Sequence, residues 1–400
     1  KPLFANLPRG PSAVVTPLAA PPEVSRLAPE LVEGFRRSLL ERWDAEPVPG
    51  MACLLFQHGE PLLEVIVGVA SVDRETAVDR HTRFNFGPLT HGLTSLLALR
   101  LEEAGRLQLD QPVREWQSGF RLTDPSATEQ VTLRHLLSMT AGIPTYVDDI
   151  IDPAWAHPDD LFLALAQAPV IARPGAVQEL SFTSVSVAGY LLAEASRGLP
   201  SDRVAAFEDL LERDLLAAAG LDDASFALSG SNLASPHQLG ADGHYAVANR
   251  WEPERNPQSP ALGLKGSLAD LQAWLRLELS NGQLPDGQFL AGPAAFRQRW
   301  FGLGGRDGRA MGWAQRRVEG INLLVMEGSY DRQRALLLLA PAYGFGLAML
   351  LNADTPAAEA LAALARREGV AALVETQAAA ERDLRLMAPP VAEQRVPEEI

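Results

Sequence analysis

The sequence predicts an α+β fold. Strand-like segments lie at both ends of the core, and a helical stretch of about two hundred residues separates them. No internal repeat relates the parts, so the two strand-bearing ends are expected to pair in one antiparallel sheet. Residues 1–28 hold Pro2, Pro8, Pro11, Pro17, Pro21 and Pro22 without periodicity and read as an extended arm. From residue 29 to about residue 46, Leu31, Phe35, Leu39 and Leu40 recur at helical spacing, and Pro47 and Pro49 end the run. Residues 51–56 and 62–69 flank Gln57-His58-Gly59-Glu60 and read as a β-hairpin.

A second helix is expected after Gly87. Pro88 suits a first helical position, where its missing N–H costs nothing and φ is already right. Leu93, Leu96, Leu97, Leu99 and Leu101 make this helix apolar almost all round, hence buried, and Gly105 closes it. Residues 161–220 look largely helical, with a break at Pro174-Gly175. Residues 268–279 form an amphipathic helix ending at Asn281-Gly282. Strands return over 311–351. There Pro341, Gly344 and Gly346 interrupt the uncharged stretch 335–351, which reads as two buried strands and a turn rather than a membrane span. A long Ala/Leu-rich helix covers roughly 356–382, and residues 384–400, with Pro389, Pro390 and Pro397, read as a tail. The chain thus divides into an arm (1–28), a main domain (29–383) with a helical subdomain at about 100–260, and the tail.

Composition narrows function. Hydrophobic residues make up 47% and charged residues 21% of 400, an ordinary globular balance. Fifty acidic against 35 basic side chains give a net charge of −15, which repels phosphate backbones and argues against nucleic-acid binding. No signal peptide is visible, a soluble protein is expected, and the compartment stays open. Cys53 is the sole cysteine, and seven histidines are scattered without ligand spacing, so no metal or other cofactor is expected. Lys1 and Lys265 are the only lysines.

Several blocks nevertheless carry a family signature. Thr82-Arg83-Phe84-Asn85-Phe86-Gly87 leads into the buried helix, and Glu103-Ala104-Gly105-Arg106-Leu107-Gln108-Leu109-Asp110-Gln111-Pro112-Val113 follows it. Val131-Thr132-Leu133-Arg134-His135-Leu136-Leu137-Ser138-Met139-Thr140-Ala141-Gly142-Ile143-Pro144 comes next. Asn232-Leu233-Ala234-Ser235-Pro236-His237 and Gly263-Leu264-Lys265-Gly266-Ser267-Leu268-Ala269-Asp270-Leu271 complete the series. In this order the blocks resemble the serine β-lactamase/penicillin-binding-protein-like family, on its class C and esterase side. The resemblance covers about three-quarters of the chain, roughly residues 49–354. It implies a β-lactamase/transpeptidase-like domain, an antiparallel sheet flanked by helices, with the active site where the sheet meets the helical subdomain.

The resemblance fails at each motif that carries the family's chemistry. The nucleophile motif, Ser-x-x-Lys, falls on Pro88-Leu89-Thr90-His91. Proline has neither hydroxyl nor N–H, and in the family that N–H is one of two oxyanion-hole donors. Losing one such donor typically costs ~10²–10³ in rate. The Tyr-x-Asn motif falls within Leu180-Ser181-Phe182-Thr183-Ser184, and neither Leu180 nor Phe182 in the tyrosine place supplies a phenol. The third motif, His-x-Gly or Lys-x-Gly, aligns with Met326-Glu327-Gly328, and a thioether donates no hydrogen bond.

Three readings stay open. The first is a pseudoenzyme, non-hydrolytic, with a binding, regulatory or assembly role, served by a protein partner, a second copy, or a small-molecule ligand in the former cleft. The second is a repurposed enzyme in which His91 acts as acid or base on a small ester, amide or biosynthetic intermediate. The third is a serine hydrolase with a displaced nucleophile. The fallback catalytic set is His91, Thr90, Ser184 and Glu327, and the pocket is expected to be lined by Pro88, His91, Phe182, Ser184, Met326, Glu327 and Gly328.

Overall fold

Alternation along the apolar strands sorts their side chains into two cores, one on each face of a sheet. The computed structural model describes residues 26–150, 156–230, 232–250, 252–253, 255–301 and 310–387. Helix α1 (Pro29–Ala45) precedes the hairpin of β1 (Gly50–Gln57) and β2 (Glu60–Ser71), followed by the short strands β3 (Thr76–Ala77) and β4 (Phe84–Asn85). A 3-10 turn (Gly87–Leu89) leads into α2 (Thr90–Glu103). The helical subdomain holds α3 (Val113–Trp116), α4 (Pro125–Gln130), α5 (Leu133–Leu137), α6 (Pro158–Gln167) and α7 (Phe182–Arg197). It continues with α8 (Arg203–Leu211), a π turn (Glu212–Leu216) and α9 (Ala217–Ala219). The chain returns through β5 (His237–Leu239), β6 (Tyr245–Val247), α10 (Ser259–Leu262), β7 (Lys265–Gly266), α11 (Leu268–Leu279) and α12 (Pro293–Gln298). It closes with β8 (Ala314–Val318), β9 (Ile321–Tyr330), β10 (Gln333–Ala340), β11 (Phe345–Leu351) and α13 (Pro356–Met387).

The main sheet has seven strands in the order β3-β2-β1-β11-β10-β9-β8. The two ends of the chain meet at its centre, where β1 runs antiparallel to β11 with Cys53 opposite Met349. Odd positions Met51, Cys53 and Leu55 join Leu336, Leu338 and Leu347 under α1 and α13, against Phe35, Leu39 and Leu361. Even positions Ala52, Leu54 and Phe56 join Leu337, Leu339 and Ala348 on the other face, against α2 and α11. Both faces are covered, so β1, β10 and β11 read as nearly unbroken apolar runs. Burial lifts the Cys53 thiol to about 12, so it packs as a small hydrophobe.

The buried helix carries one correction. Pro88 sits in the 3-10 turn, and the α-helix proper starts at Thr90. From Thr90 to Leu101 every residue but Arg100 is buried, matching the all-round apolar pattern. The last helix runs to Met387, past the expected end near residue 382 and into the segment assigned to the tail. Residues 1–25 of the expected arm and residues 388–400 lie outside the described residues. Asn281 and Gly282 close α11 with φ of 57° and 91°, where a Cβ on Gly282 would lie 2.6 Å from the Phe296 ring. Among the described residues no helix is long and apolar enough to cross a membrane.

Candidate functional site

The site lies where the head of α2 meets the free half of β9. Strand β8 pairs with Ile321–Val325, and from Met326 onward the outer edge of β9 has no strand partner among the described residues. Gly87 makes the close approach possible: its φ is +49°, and a Cβ there would lie 2.8 Å from Tyr330 Cβ. Next to it the Pro88 ring rests on Gly328, where an added Cβ would meet Pro88 Cγ at 2.6 Å. Ring and strand are both stiff, so Gly328→Ala is expected to cost about 1–3 kcal/mol by urea unfolding. In a Pro88→Ala background most of that cost should disappear, because the ring atoms that cause it are gone. Additive costs in this double-mutant cycle would mean the contact is not the cause.

His91 lies one helical turn on and is 4% exposed. Its Nε2 donates to the Leu137 carbonyl at 2.6 Å, and since a carbonyl only accepts, this nitrogen carries the proton. Met326 stands on β9 beside the head of α2. Its thioether lies over Gly92, where a Cβ would sit 2.7 Å from Sδ and 2.9 Å from the Trp274 ring. The apolar side chain thus fills space that a longer side chain on α2 would need.

Phe182 opens α7, whose N-terminus is capped twice. Ser181 Oγ accepts from Ser184 N at 3.1 Å, and the Asp148 carboxylate accepts from Phe182 N at 2.7 Å and Thr183 N at 2.9 Å. Asp148 was not singled out from the sequence, although its acidic charge suits a helix N-terminus.

A cavity of about 610 Å³ opens between these elements and is bordered by Pro88, His91, Phe182, Met326 and Glu327. Phe182, and not Leu180, is among the residues bordering it. Ser184 and Gly328 are not among the residues lining it: Ser184 Oγ donates to Ser181 Oγ at 2.9 Å, and Gly328 lies beneath the proline ring. Thr90 is fully buried and its hydroxyl oxygen accepts from Leu264 N at 3.2 Å, away from the cavity. Glu327 borders the cavity, but alternation puts its side chain on the face of β9 opposite Met326, where it ion-pairs with Arg366 of α13. The convergence of His91, Glu327 and serine hydroxyls that the repurposed-enzyme reading calls for is replaced by separate partners for each. No group of three or more potential ligands that could hold a metal occurs among the described residues.

Behind the cleft lies a polar network that sequence reasoning did not assemble. Lys265 Nζ donates to Glu252 Oε1 at 2.7 Å and to the Gly263 carbonyl at 2.7 Å, with both side chains 1% exposed. Asn85 and Asn256 donate to the same carboxylate at 3.3 and 3.1 Å, and Asn256 also donates to Tyr330 Oη at 2.8 Å. Asn85 Oδ1 in turn accepts from Gly87 N at 3.1 Å, tying the network to the turn that carries Pro88. The available signal was a lone internal lysine among apolar neighbours, which has to find a counter-charge.

Nearby, burial pushes the Glu208 carboxyl up to about 7, against a hydrogen bond from Ser259 Oγ at 2.5 Å. A carboxyl raised in the folded state contributes stability that is fully present below its ordinary value of 4.5 and is lost as pH rises through about 7. Glu208→Gln removes this dependence. Calorimetry should show a Tm difference favouring the variant that widens from pH 5 to pH 8, and a constant difference would contradict the assignment.

Comparison with known proteins agrees with the geometry. A family model described as Beta-lactamase matches residues 35–372. Protein flp from Staphylococcus aureus (strain COL) is 22% identical over 314 residues, covering 77% of this chain and 60% of flp. The chain thus spans about 60% of the length of the first curated relatives it matches. Among solved structures, the octameric penicillin-binding protein homologue from Pyrococcus abyssi superposes with a TM-score of 0.69 at 20% identity, over 84% of this chain and 77% of that one. At that identity the likeness speaks for the fold. The family model covers far more than half of the sequence, and the chain belongs to the Beta-lactamase family.

Proposed function

We propose that this protein is a non-hydrolytic member of its family, a pseudoenzyme whose cleft binds rather than cleaves. The observation that carries the reading is Pro88 at the head of α2, packed on Gly328. A residue with no hydroxyl and no N–H there supplies neither an attacking oxygen nor an oxyanion donor. His91 committed to a carbonyl and Met326 over Gly92 support it, since neither arrangement leaves a base beside a nucleophile. The test is mass spectrometry after exposure to a β-lactam and to an activated ester. The unchanged mass of the intact chain is expected, and a covalent adduct on any serine would overturn the reading.

A second reading keeps chemistry in the cleft through His91, because that residue borders the cavity. It predicts turnover of a small ester or amide that His91→Ala abolishes. The first reading predicts no turnover in either protein. An assembly role also follows from the first reading: a structural neighbour is described as octameric, and self-association of this chain would be read by light scattering.

A further inference from the structure

The cavity does not end at the cleft. From Met326 it continues along β8 and β9 to α13, and its walls change character on the way. Leu323, Val325 and Val370 give it an apolar side. Arg316 and Arg317 of β8, with Arg366 and Arg367 of α13, border it as well. In a chain of net charge −15, four arginines against the two glutamates Glu319 and Glu327 reverse the local sign. Two of these guanidiniums are committed, Arg366 to Glu327 and Arg367 to Glu368. Arg316 donates to the Gln315 carbonyl at 2.8 Å, and Arg317 has no side-chain partner among the described residues. Both are exposed, so their charge is open to a ligand.

An inorganic anion would answer the arginines and leave the apolar wall unused. A neutral hydrocarbon would do the opposite. The volume, about 610 Å³, falls within the range of about 300–1,000 Å³ typical of small-molecule sites. We propose that this cavity binds an amphiphile with a carboxylate or phosphate head at Arg316, which stands opposite Leu323 on the face turned to α13, and a linear hydrocarbon tail along Leu323, Val325 and Val370. This rests on the binding reading above and names the ligand class of that site. The Arg316 guanidinium fixes the head through charge-assisted hydrogen bonds, and the tail gains by leaving water.

The test is titration calorimetry with monomeric octanoate, decanoate, dodecanoate and dodecyl phosphate, alongside neutral decanol and phosphatidylglycerol vesicles. Kd should tighten with chain length by up to about fourfold per buried methylene, which is ~0.8 kcal/mol. Decanol should bind at least tenfold more weakly than decanoate. Arg316→Gln, at an exposed position, should erase that preference while leaving decanol binding and the melting temperature unchanged. Val370→Phe, its fold checked by circular dichroism, should cut the chain-length series short. A Kd independent of chain length, a preference that survives the arginine variant, or binding only to vesicles would overturn the proposal. The two readings fail separately. Ester turnover with dodecanoate binding intact removes the non-hydrolytic assignment, whereas an inert protein that ignores every anion removes the amphiphile.

Discussion

Lys265→Ala is expected to remove about 3–5 kcal/mol of stability in equilibrium urea unfolding. The ammonium is 1% exposed, and burial pulls its pKa down while Glu252 holds it up. Truncating it leaves a carboxylate in the interior with Asn85 and Asn256 as its remaining donors among the described residues. A lone buried charge is far costlier than a buried pair. The double variant Lys265→Met/Glu252→Leu removes both charges and should recover most of the loss. It will not recover all of it, because Asn85 and Asn256 lose an acceptor, at about 1–3 kcal/mol for each group left unpaired. A single-variant cost below about 1 kcal/mol would mean that water reaches the pair.

Glu278→Ala should be at least as damaging. This carboxylate accepts from Trp274 Nε1 at 2.8 Å, from Trp300 Nε1 at 3.0 Å and from Arg299, whose side chain is 1% exposed. One truncation strands a guanidinium and two indole N–H groups, so a loss of about 4 kcal/mol or more is expected. Against a typical total of about 5–15 kcal/mol, that approaches unfolding at 37 °C. Glu278→Gln retains an acceptor for one indole and should fall between variant and wild type. Tryptophan emission of the native state reads the damage directly, since two of the three donors are indoles. An unshifted emission with unchanged stability would refute the assignment.

The frame was legible because its signals are local or strongly periodic. Residues 51–69 announce a hairpin through a four-residue polar break, and β1 and β2 meet there as expected. Residues 268–279 carry a periodic face, and α11 keeps those bounds. The pairing of the first and last strands followed from pattern alone and is seen between β1 and β11. The short helices α3, α4 and α5 were not anticipated, because four to six residues are too few to establish a period. Strands β4 and β7 were missed for the same reason: each is two residues long and exists through its distant partner.

Within the cleft, motif alignment found Pro88, His91, Phe182 and Met326, all of which border the cavity. It could not foresee that Glu327 turns to Arg366, because its partner lies on a helix 39 residues further along the chain. Nor could it place Ser184, whose hydroxyl is drawn to its own helix cap. Side-chain direction on a strand edge and at a cap depends on tertiary neighbours, which a linear motif does not record.

The contact between positions 88 and 328 sets what a single substitution can achieve. Pro88→Ser delivers a hydroxyl to a place where the imidazole at 91 is tethered to Leu137 and a thioether occupies 326. Under the proposed non-hydrolytic reading, that one oxygen gains no neighbouring base, and turnover should stay absent until positions 91 and 326 change with it.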